Sequence, residues 1–190
     1  CLDVLPGQTV VDLCAAPGSK TTQIGLKLGD RGLLIAADAS SQRRRALREN
    51  LARQGVACAL ITPLAPRVLA DQMAGQADRV LVDAPCSGAT PASAGTLRRL
   101  AQRQTKLLKA GARLCRPGGR MVYSTCTASV EENEQVIETF LRKHPEWSVI
   151  PTVVPGAQAD LHGLGCLRIH PDTCGSEAFF TAVLQVQASG

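Results

Sequence analysis

Residues 79–88, which read RVLVDAPCSG, decide how the rest of this sequence is interpreted. Residues 80–82 form a continuous apolar run, as is typical of a strand buried on both faces of a parallel sheet. Polar chemistry follows at once, because Asp83 and Cys86 come directly after the run. Ligands of open α/β sheets bind beyond the carboxyl ends of the strands. The stretch therefore predicts a strand that ends in a candidate site, although Cys86 taken alone could equally be a buried structural residue.

The length and composition predict one globular domain over residues 1–190. Hydrophobic residues make up 45% of the chain and charged residues 19%, which is ordinary for a soluble protein. No apolar run approaches the roughly 20 residues that a membrane-spanning helix needs, so we expect no membrane partner. The sequence begins with Cys1 and not with Met, and it shows no signal-peptide pattern, so we expect a fragment or trimmed chain that can lack targeting signals and further domains.

The eight cysteines predict free thiols in a reducing intracellular compartment. No two of them have the C-x-x-C spacing and the chain has three histidines, so we expect no metal site. The net charge of +5 is compatible with a polyanion such as nucleic acid. The densest cationic cluster, Arg43 to Arg45 with Arg48, is interpreted first as a solvated helix face.

Strand patterns alternate with helix patterns along most of the chain, which predicts consecutive βαβ units. The fold class expected from this order is α/β, with a mostly parallel sheet and helices on both faces. Strands are predicted at residues 9–13, 32–37, 58–61, 80–82, 120–123, 147–154, 167–170 and 179–186. Helices are predicted to end near residue 28 and to span about residues 41–54, 67–73, 96–115 and 130–143.

The loop after the first strand predicts a nucleoside-containing cofactor. Residues 14–18 are small, and free N–H groups at a helix N-terminus attract negative charge. The loop is not a Walker A motif, because Ser19 precedes Lys20 where that motif has glycine. Asp38 ends the second strand, where nucleotide-binding folds hold ribose hydroxyls. Asp38 could instead belong to the capping region of the next helix.

A second thiol follows the fifth predicted strand, since residues 123–127 read YSTCT. Neighbouring βαβ units place their strands side by side. We therefore expect Cys86 and Cys126 to face one cleft, together with Asp83.

Three of these stretches together resemble the signature motifs of the Sun/NSUN-type (RsmB/Nop2/Sun) RNA cytosine-5 methyltransferases. They are residues 12–21 (DLCAAPGSKT), residues 83–88 (DAPCSG) and residues 123–127 (YSTCT). The resemblance implies a Rossmann-like methyltransferase fold with a closing antiparallel strand. It also implies S-adenosyl-L-methionine as cofactor and RNA, either ribosomal or transfer RNA, as substrate.

The resemblance assigns separate roles to the candidate catalytic residues. Cys126 is expected to add to carbon 6 of cytosine, and Cys86 to assist product release. Asp83 is expected to bind the edge of the base, and Lys20 to lie in the same pocket and favour the thiolate. Cys86 could instead be the nucleophile in place of Cys126, as the Pro-Cys thiol is in DNA cytosine-5 methyltransferases.

Cofactor contacts are implied for the loop after the first strand and for three charged residues. The full set is Cys14, Ala15, Ala16, Pro17, Gly18, Lys20, Asp38 and Asp83. The chain departs from the family pattern at Thr62 or Pro63, where an Asp usually follows the third strand. The alternative function is a degenerate, non-catalytic subunit that binds cofactor or RNA. In either case a partner or a further domain is expected to contribute RNA affinity.

Overall fold

The computed structural model describes residues 1–169 and 177–187. Its first ten elements alternate in the predicted order. They are β1 (Thr9–Asp12), α1 (Ser19–Leu28), β2 (Leu33–Ala37), α2 (Ser41–Arg53), β3 (Ala59–Thr62), α3 (Pro66–Gln72), β4 (Ala77–Asp83), α4 (Ala94–Leu114), β5 (Cys115–Thr125) and α5 (Glu134–Lys143). Four strands follow, namely β6 (Trp147–Val149), β7 (Gln158–Ala159), β8 (Leu167–Ile169) and β9 (Phe179–Val186). Position 170, the predicted end of one strand, lies outside the described residues.

The strands form one sheet in the order β3-β2-β1-β4-β5-β9-β8-β7, with β6 paired to β9. The first five strands are parallel, and β9 pairs antiparallel with β5. This arrangement confirms the predicted Rossmann-like fold with its closing antiparallel strand. Because the chain turns outward in opposite directions from β1 and β4, the loops after these two strands diverge and leave a cleft.

Strand β4 is covered on both faces, as its apolar run predicts. Val80 and Val82 pack in one apolar core with α3, α4 and α5. Leu81 points to the other face, where it packs with Ile24 and Leu28 of α1. The side-chain alternation of a strand therefore places helices on both faces of the sheet.

Helix α4 lies close to the sheet because Gly111 faces it. A Cβ atom at this position would lie 2.6 Å from Sδ of Met121 and 3.3 Å from side-chain carbons of Val80 and Val82. Any larger residue at position 111 would push α4 away from β4 and β5.

The largest differences from the predicted boundaries lie at β5, α5 and β6, and the short strand β7 was not predicted. Residues 116–119, predicted as a tight turn, lie within β5, where the pairing with β4 shifts register near Ala77. Helix α5 begins at Glu134 and not at residue 130, because residues 130–133 form a turn. Strand β6 ends at Val149, soon before Pro151, which has no N–H to donate to a ladder.

Candidate functional site

Lys20 and Asp83 meet across the cleft between β1 and β4. Nζ of Lys20 lies 2.7 Å from Oδ2 of Asp83, and Oγ of Ser124 donates a hydrogen bond of 2.7 Å to Oδ1. The Lys20 ammonium also lies 5.1 Å from the ring centroid of Phe179. Both oxygens of Asp83 are thus held at the carboxyl ends of the central strands.

Cys86 and Cys126 lie side by side at the same edge of the sheet. They follow β4 and β5, which are neighbouring parallel strands in which Asp83 pairs with Ser124. The two Sγ atoms are 3.0 Å apart, and the backbone N–H of Cys126 donates to Sγ of Cys86 at 3.3 Å. The structure therefore brings the two predicted thiols and Asp83 together, with Lys20 joined through Asp83.

The Cys126 thiol is held in its protonated form at neutral pH. Burial, the hydrogen bond with Cys86 and the negative charges of Glu177 and Asp83 raise its pKa to about 12. Lys20, which was expected to favour the thiolate, directs its ammonium group to Asp83. Cys126 must therefore lose a proton before it can act as a nucleophile.

A first cavity, of about 350 Å³, lies beyond the ends of β1 and β2. Cys14 and Asp38 line it, together with Arg43, Leu64 and Arg103. Asp38 is buried, and its Oδ1 accepts a hydrogen bond of 2.9 Å from the N–H of Ser40. The cavity presents one carboxylate among apolar walls and cations, which suits a ligand with sugar hydroxyls.

The loop that begins at Cys14 is fixed from beneath by Asp12. Oδ1 of Asp12 accepts from the N–H of Cys14 at 3.2 Å, and Oδ2 accepts from Oγ1 of Thr21 at 2.7 Å. Burial raises the pKa of Asp12 to about 6 and that of the Cys14 thiol to about 12. Cys14 is therefore an unreactive thiol in the wall of the cavity.

The other predicted cofactor residues lie beside this first cavity and not in its wall. Ala15 and Ala16 are buried, Pro17 follows a cis peptide bond, and Gly18 has a φ of 116°. A Cβ atom on Gly18 would come within 2.8 Å of Leu47, so glycine is required there. Their backbone shapes the loop between β1 and α1.

Lys20 lines a second cavity, of about 480 Å³, on the α1 side of the sheet. Ser124 and Phe179 are also in its wall. The structure thus separates Lys20 from the first cavity, which Cys14 and Asp38 line. The ion pair with Asp83 joins Lys20 to the end of β4.

Arg43 was missed as a site residue, because its sequence context suggested a solvated helix face. Its guanidinium group donates to the carbonyl of Ala16 and lies 3.5 Å from Oδ2 of Asp38. Arg43 therefore ties α2 to both predicted cofactor segments. Arg43 lies five residues after Asp38, and this short spacing from a predicted cofactor residue could have identified Arg43 as a site residue.

Thr62 is the last residue of β3 and lies beside the first cavity. With Pro63, it stands where the family pattern usually has an Asp. Its Oγ1 accepts a hydrogen bond of 3.2 Å from the N–H of Leu64. Leu64, Ala65 and Pro66 line the cavity at this point. The third-strand loop therefore supplies an apolar wall where the family pattern has a carboxylate.

Glu132 and Asn133 were also missed, since the acidic run 131–134 was interpreted as the first turn of a helix. Both side chains are fully buried behind the loops that carry Cys86 and Cys126. Their closeness in sequence to Cys126, and the fit of residues 131–134 to the family pattern, are the signals that could have pointed to them.

Two classes of site find no support in the described part of the chain. Residues 1–169 and 177–187 contain no group of three His, Cys, Asp or Glu side chains that could hold a metal ion. No helix within these residues has both the length and the apolar character needed to cross a bilayer.

Comparison with known proteins gives one consistent result. Residues 1–185 match the family described as 16S rRNA methyltransferase RsmB/F. Ribosomal RNA small subunit methyltransferase F of Erwinia tasmaniensis is 37% identical over 195 residues, covering 96% of this chain. The matched part is 41% of that relative, so the chain spans less than half of its length.

Two solved structures from Pyrococcus horikoshii share the architecture. NSun6, solved with SFG, has a TM-score of 0.87 and 30% identity, covering 96% of this chain and 48% of that one. A methyltransferase homolog protein has a TM-score of 0.87 and 28% identity, covering 97% of this chain and 63% of that one.

Proposed function

Because this chain belongs to the RsmB/F methyltransferase family, as its motifs predict, we propose that it is the catalytic part of an RNA (cytosine-5)-methyltransferase. The observation that carries the proposal is the contact of 3.0 Å between Sγ of Cys86 and Sγ of Cys126, beside the Lys20–Asp83 ion pair. Two thiols and a carboxylate at the ends of adjacent parallel strands suit covalent chemistry on a pyrimidine.

S-adenosyl-L-methionine is the cofactor of this family, and its analogue SFG accompanies the NSun6 structure. In this chain Asp38 is placed to accept hydrogen bonds from ribose hydroxyls, and Leu64 to pack against the adenine. The backbone of residues 14–18 would contact the cofactor from the β1 side, and Asp83 would hold its methionine end. When bound, the cofactor supplies the methyl group.

Cys126 is the proposed nucleophile. Its sulfur adds to carbon 6 of the cytosine, and the thiol proton leaves as the carbon–sulfur bond forms. Because Cys126 is only partly buried, that proton passes to solvent water, and the thiolate left behind forms the bond to carbon 6. Electron density then moves to carbon 5, which takes the methyl group from the cofactor. Asp83 binds the polar edge of the base throughout.

Cys86 acts in the second half of the reaction. After methylation it assists removal of the proton from carbon 5, and the electron pair expels the sulfur of Cys126 from carbon 6. This division is what the resemblance to the RNA cytosine-5 methyltransferases implies, and the reverse assignment is an outcome of the test below. The target base has to be unpaired or flipped to reach these thiols.

RNA is the proposed substrate, and the names of the relatives favour ribosomal RNA over transfer RNA. The chain covers 41% of its first relative, so a further domain or a partner is proposed to supply part of the RNA affinity. Both thiols have to be free, as the described cysteines are, which fits a reducing intracellular compartment.

The test is a covalent-adduct assay with unmodified ribosomal RNA, the methyl donor and two single variants. Cys86→Ala is expected to accumulate a denaturation-resistant protein–RNA adduct, because release is blocked after addition. Cys126→Ala is expected to form none. The reverse pattern would assign the nucleophile to Cys86, and absence of an adduct in both would favour the non-catalytic alternative.

A further inference from the structure

Glu132 and Asn133 lie behind the two thiols, and each holds the residues that flank one of them. Both side chains are 0% exposed. Neither touches the thiols themselves, so their effect on chemistry would be indirect. They are called the clamp residues below.

Glu132 holds the loop of Cys86 from both sides. Its carboxylate accepts a hydrogen bond of 3.2 Å from the N–H of Ser87 and another from the Ser87 hydroxyl. It also accepts from Nε2 of Gln104 at 2.7 Å, and the same Nε2 donates to the carbonyl of Pro85 at 3.0 Å. The residues before and after Cys86 are thus fixed through one carboxylate.

Asn133 holds the loop of Cys126 in the same way. Oγ1 of Thr125 donates to Oδ1 of Asn133 at 2.6 Å. Nδ2 of Asn133 donates to the carbonyl of Thr127 at 2.9 Å. The amide therefore uses one acceptor and one donor on the two neighbours of Cys126.

The clamp residues are themselves anchored to the sheet. The hydroxyl of Tyr123, a buried residue of β5, donates to the carbonyl of Glu132 at 2.6 Å. The two loops are also joined directly, since the hydroxyls of Ser87 and Thr127 lie 3.0 Å apart. Any movement of one thiol-bearing loop relative to the other would break several of these bonds together.

The chemistry of Glu132 makes this arrangement stiff. Among the described residues no cation pairs with its carboxylate, and its donors all come from Ser87 and Gln104. A buried carboxylate that loses its donors is costly, so the loop is held in the one position that supplies them. Both neighbours of Nε2 of Gln104 are acceptors, so the amide is held with its NH2 group toward them. Oε1 of Gln104 then has no hydrogen-bond partner in the described structure.

We infer that Glu132 and Asn133 are positioning residues that together set the separation of Cys86 and Cys126. The inference rests on the proposed function for its catalytic consequence. Glu132 then serves the release step of Cys86, and Asn133 serves the addition step of Cys126. A displacement of about 1 Å in such a site can lower a rate by about 100-fold.

The first experiment needs no RNA and so is independent of the proposed function. Dibromobimane bridges two neighbouring thiols, with each sulfur displacing one bromide as its proton is lost. Mass spectrometry of peptides measures the Cys86–Cys126 bridge. The reaction is run at about pH 9.5, because the raised pKa of Cys126 makes its alkylation slow at neutral pH. Glu132→Gln and Asn133→Asp are expected to form the bridge at least tenfold more slowly than wild type at that pH. Glu131→Gln is the matched control, because that exposed carboxylate bonds only Ser129 and its own backbone N–H in the described structure.

The second experiment measures the RNA adduct in the same variants. Glu132→Gln is expected to accumulate adduct as Cys86→Ala does, and Asn133→Asp to form it at least tenfold more slowly than wild type. A merely structural role would lower the melting temperature and both steps alike, without this split. If a clamp variant fails to fold, Ser87→Ala and Thr125→Val replace it, because they remove the partner hydroxyls. Ser87→Ala is expected to accumulate adduct, and Thr125→Val to form it more slowly.

The outcomes separate the two proposals. Bridging at the wild-type rate in the folded clamp variants overturns the inference. Slow bridging, with no adduct in Cys86→Ala, supports the positioning role and contradicts the proposed chemistry. If bridging is slow and both clamp variants lose the adduct equally, the assignment of Glu132 to release and of Asn133 to addition is overturned.

Discussion

The ammonium group of Lys20 lies 2.7 Å from Oδ2 of Asp83, and this ion pair joins the first turn of α1 to the end of β4. Strands β1 and β4 are neighbours at the point where the chain turns outward in opposite directions. The pair therefore lies where a ligand of this fold binds. Both side chains are about one-third exposed, so the pair contributes little to stability.

Replacing Lys20 is therefore expected to affect activity far more than stability. Lys20→Ala should lower methylation by about 100-fold, because Asp83 loses the partner that orients it. The free energy of unfolding should fall by less than about 1 kcal/mol, the usual value for an exposed pair. Arg113→Ala is the control, since it removes an ion pair of similar exposure with Asp71. Equal activity in the two variants would contradict the role of Lys20.

Calorimetric titration with S-adenosylmethionine tests the first cavity. Wild type is expected to bind in the micromolar range, at about −8 kcal/mol. Asp38→Ala should abolish detectable binding, because the buried carboxylate is the expected partner of the ribose hydroxyls. Asp71→Ala, on the exposed face of α3, should bind as wild type does. Absence of binding by wild type would show that the apolar wall at Leu64 does not replace the missing carboxylate.

The alkylation rate of Cys126 should rise with pH well beyond the range of an ordinary thiol. Its pKa of about 12 means that the thiolate fraction still increases about tenfold per unit between pH 7 and pH 10. Cys86→Ala should shift the profile to lower pH, since it removes the hydrogen bond that raises this pKa. Iodoacetamide labelling followed by mass spectrometry measures the rate at this position. A plateau near pH 8 would contradict the prediction.

Asp12 should make the protein less stable as the pH rises. Its folded-state pKa of about 6 exceeds the ordinary value of 3.8, so between these values the folded state binds more protons than the unfolded state. The contribution is complete below pH 4 and is lost as the pH rises through 6, by roughly 3 kcal/mol. Urea unfolding of Asp12→Asn should lack this part of the pH dependence. Asp71→Asn should retain it, and identical profiles for all three proteins would refute the assignment.

The sequence by itself determined the fold and the region of the site. The alternation of apolar strands with helices predicts the parallel sheet, because each strand must be covered on both faces. The strand ends then identify Asp83, Cys86 and Cys126, since polar residues directly after buried strands collect at one edge of the sheet. The separation of Cys86 and Cys126 by 40 positions placed no limit on how close their sulfur atoms lie.

Tertiary structure alone decided how those residues are held. Glu132 appears in the sequence as one carboxylate of an acidic run, and only its burial shows that it bonds Ser87 and Gln104. The same holds for Arg43, whose partners lie on another loop. A local pattern reports which face of an element is apolar, but a hydrogen bond between distant segments depends on how the elements pack. The protonated state of Cys126 has the same origin, since burial and charges from other segments raise its pKa.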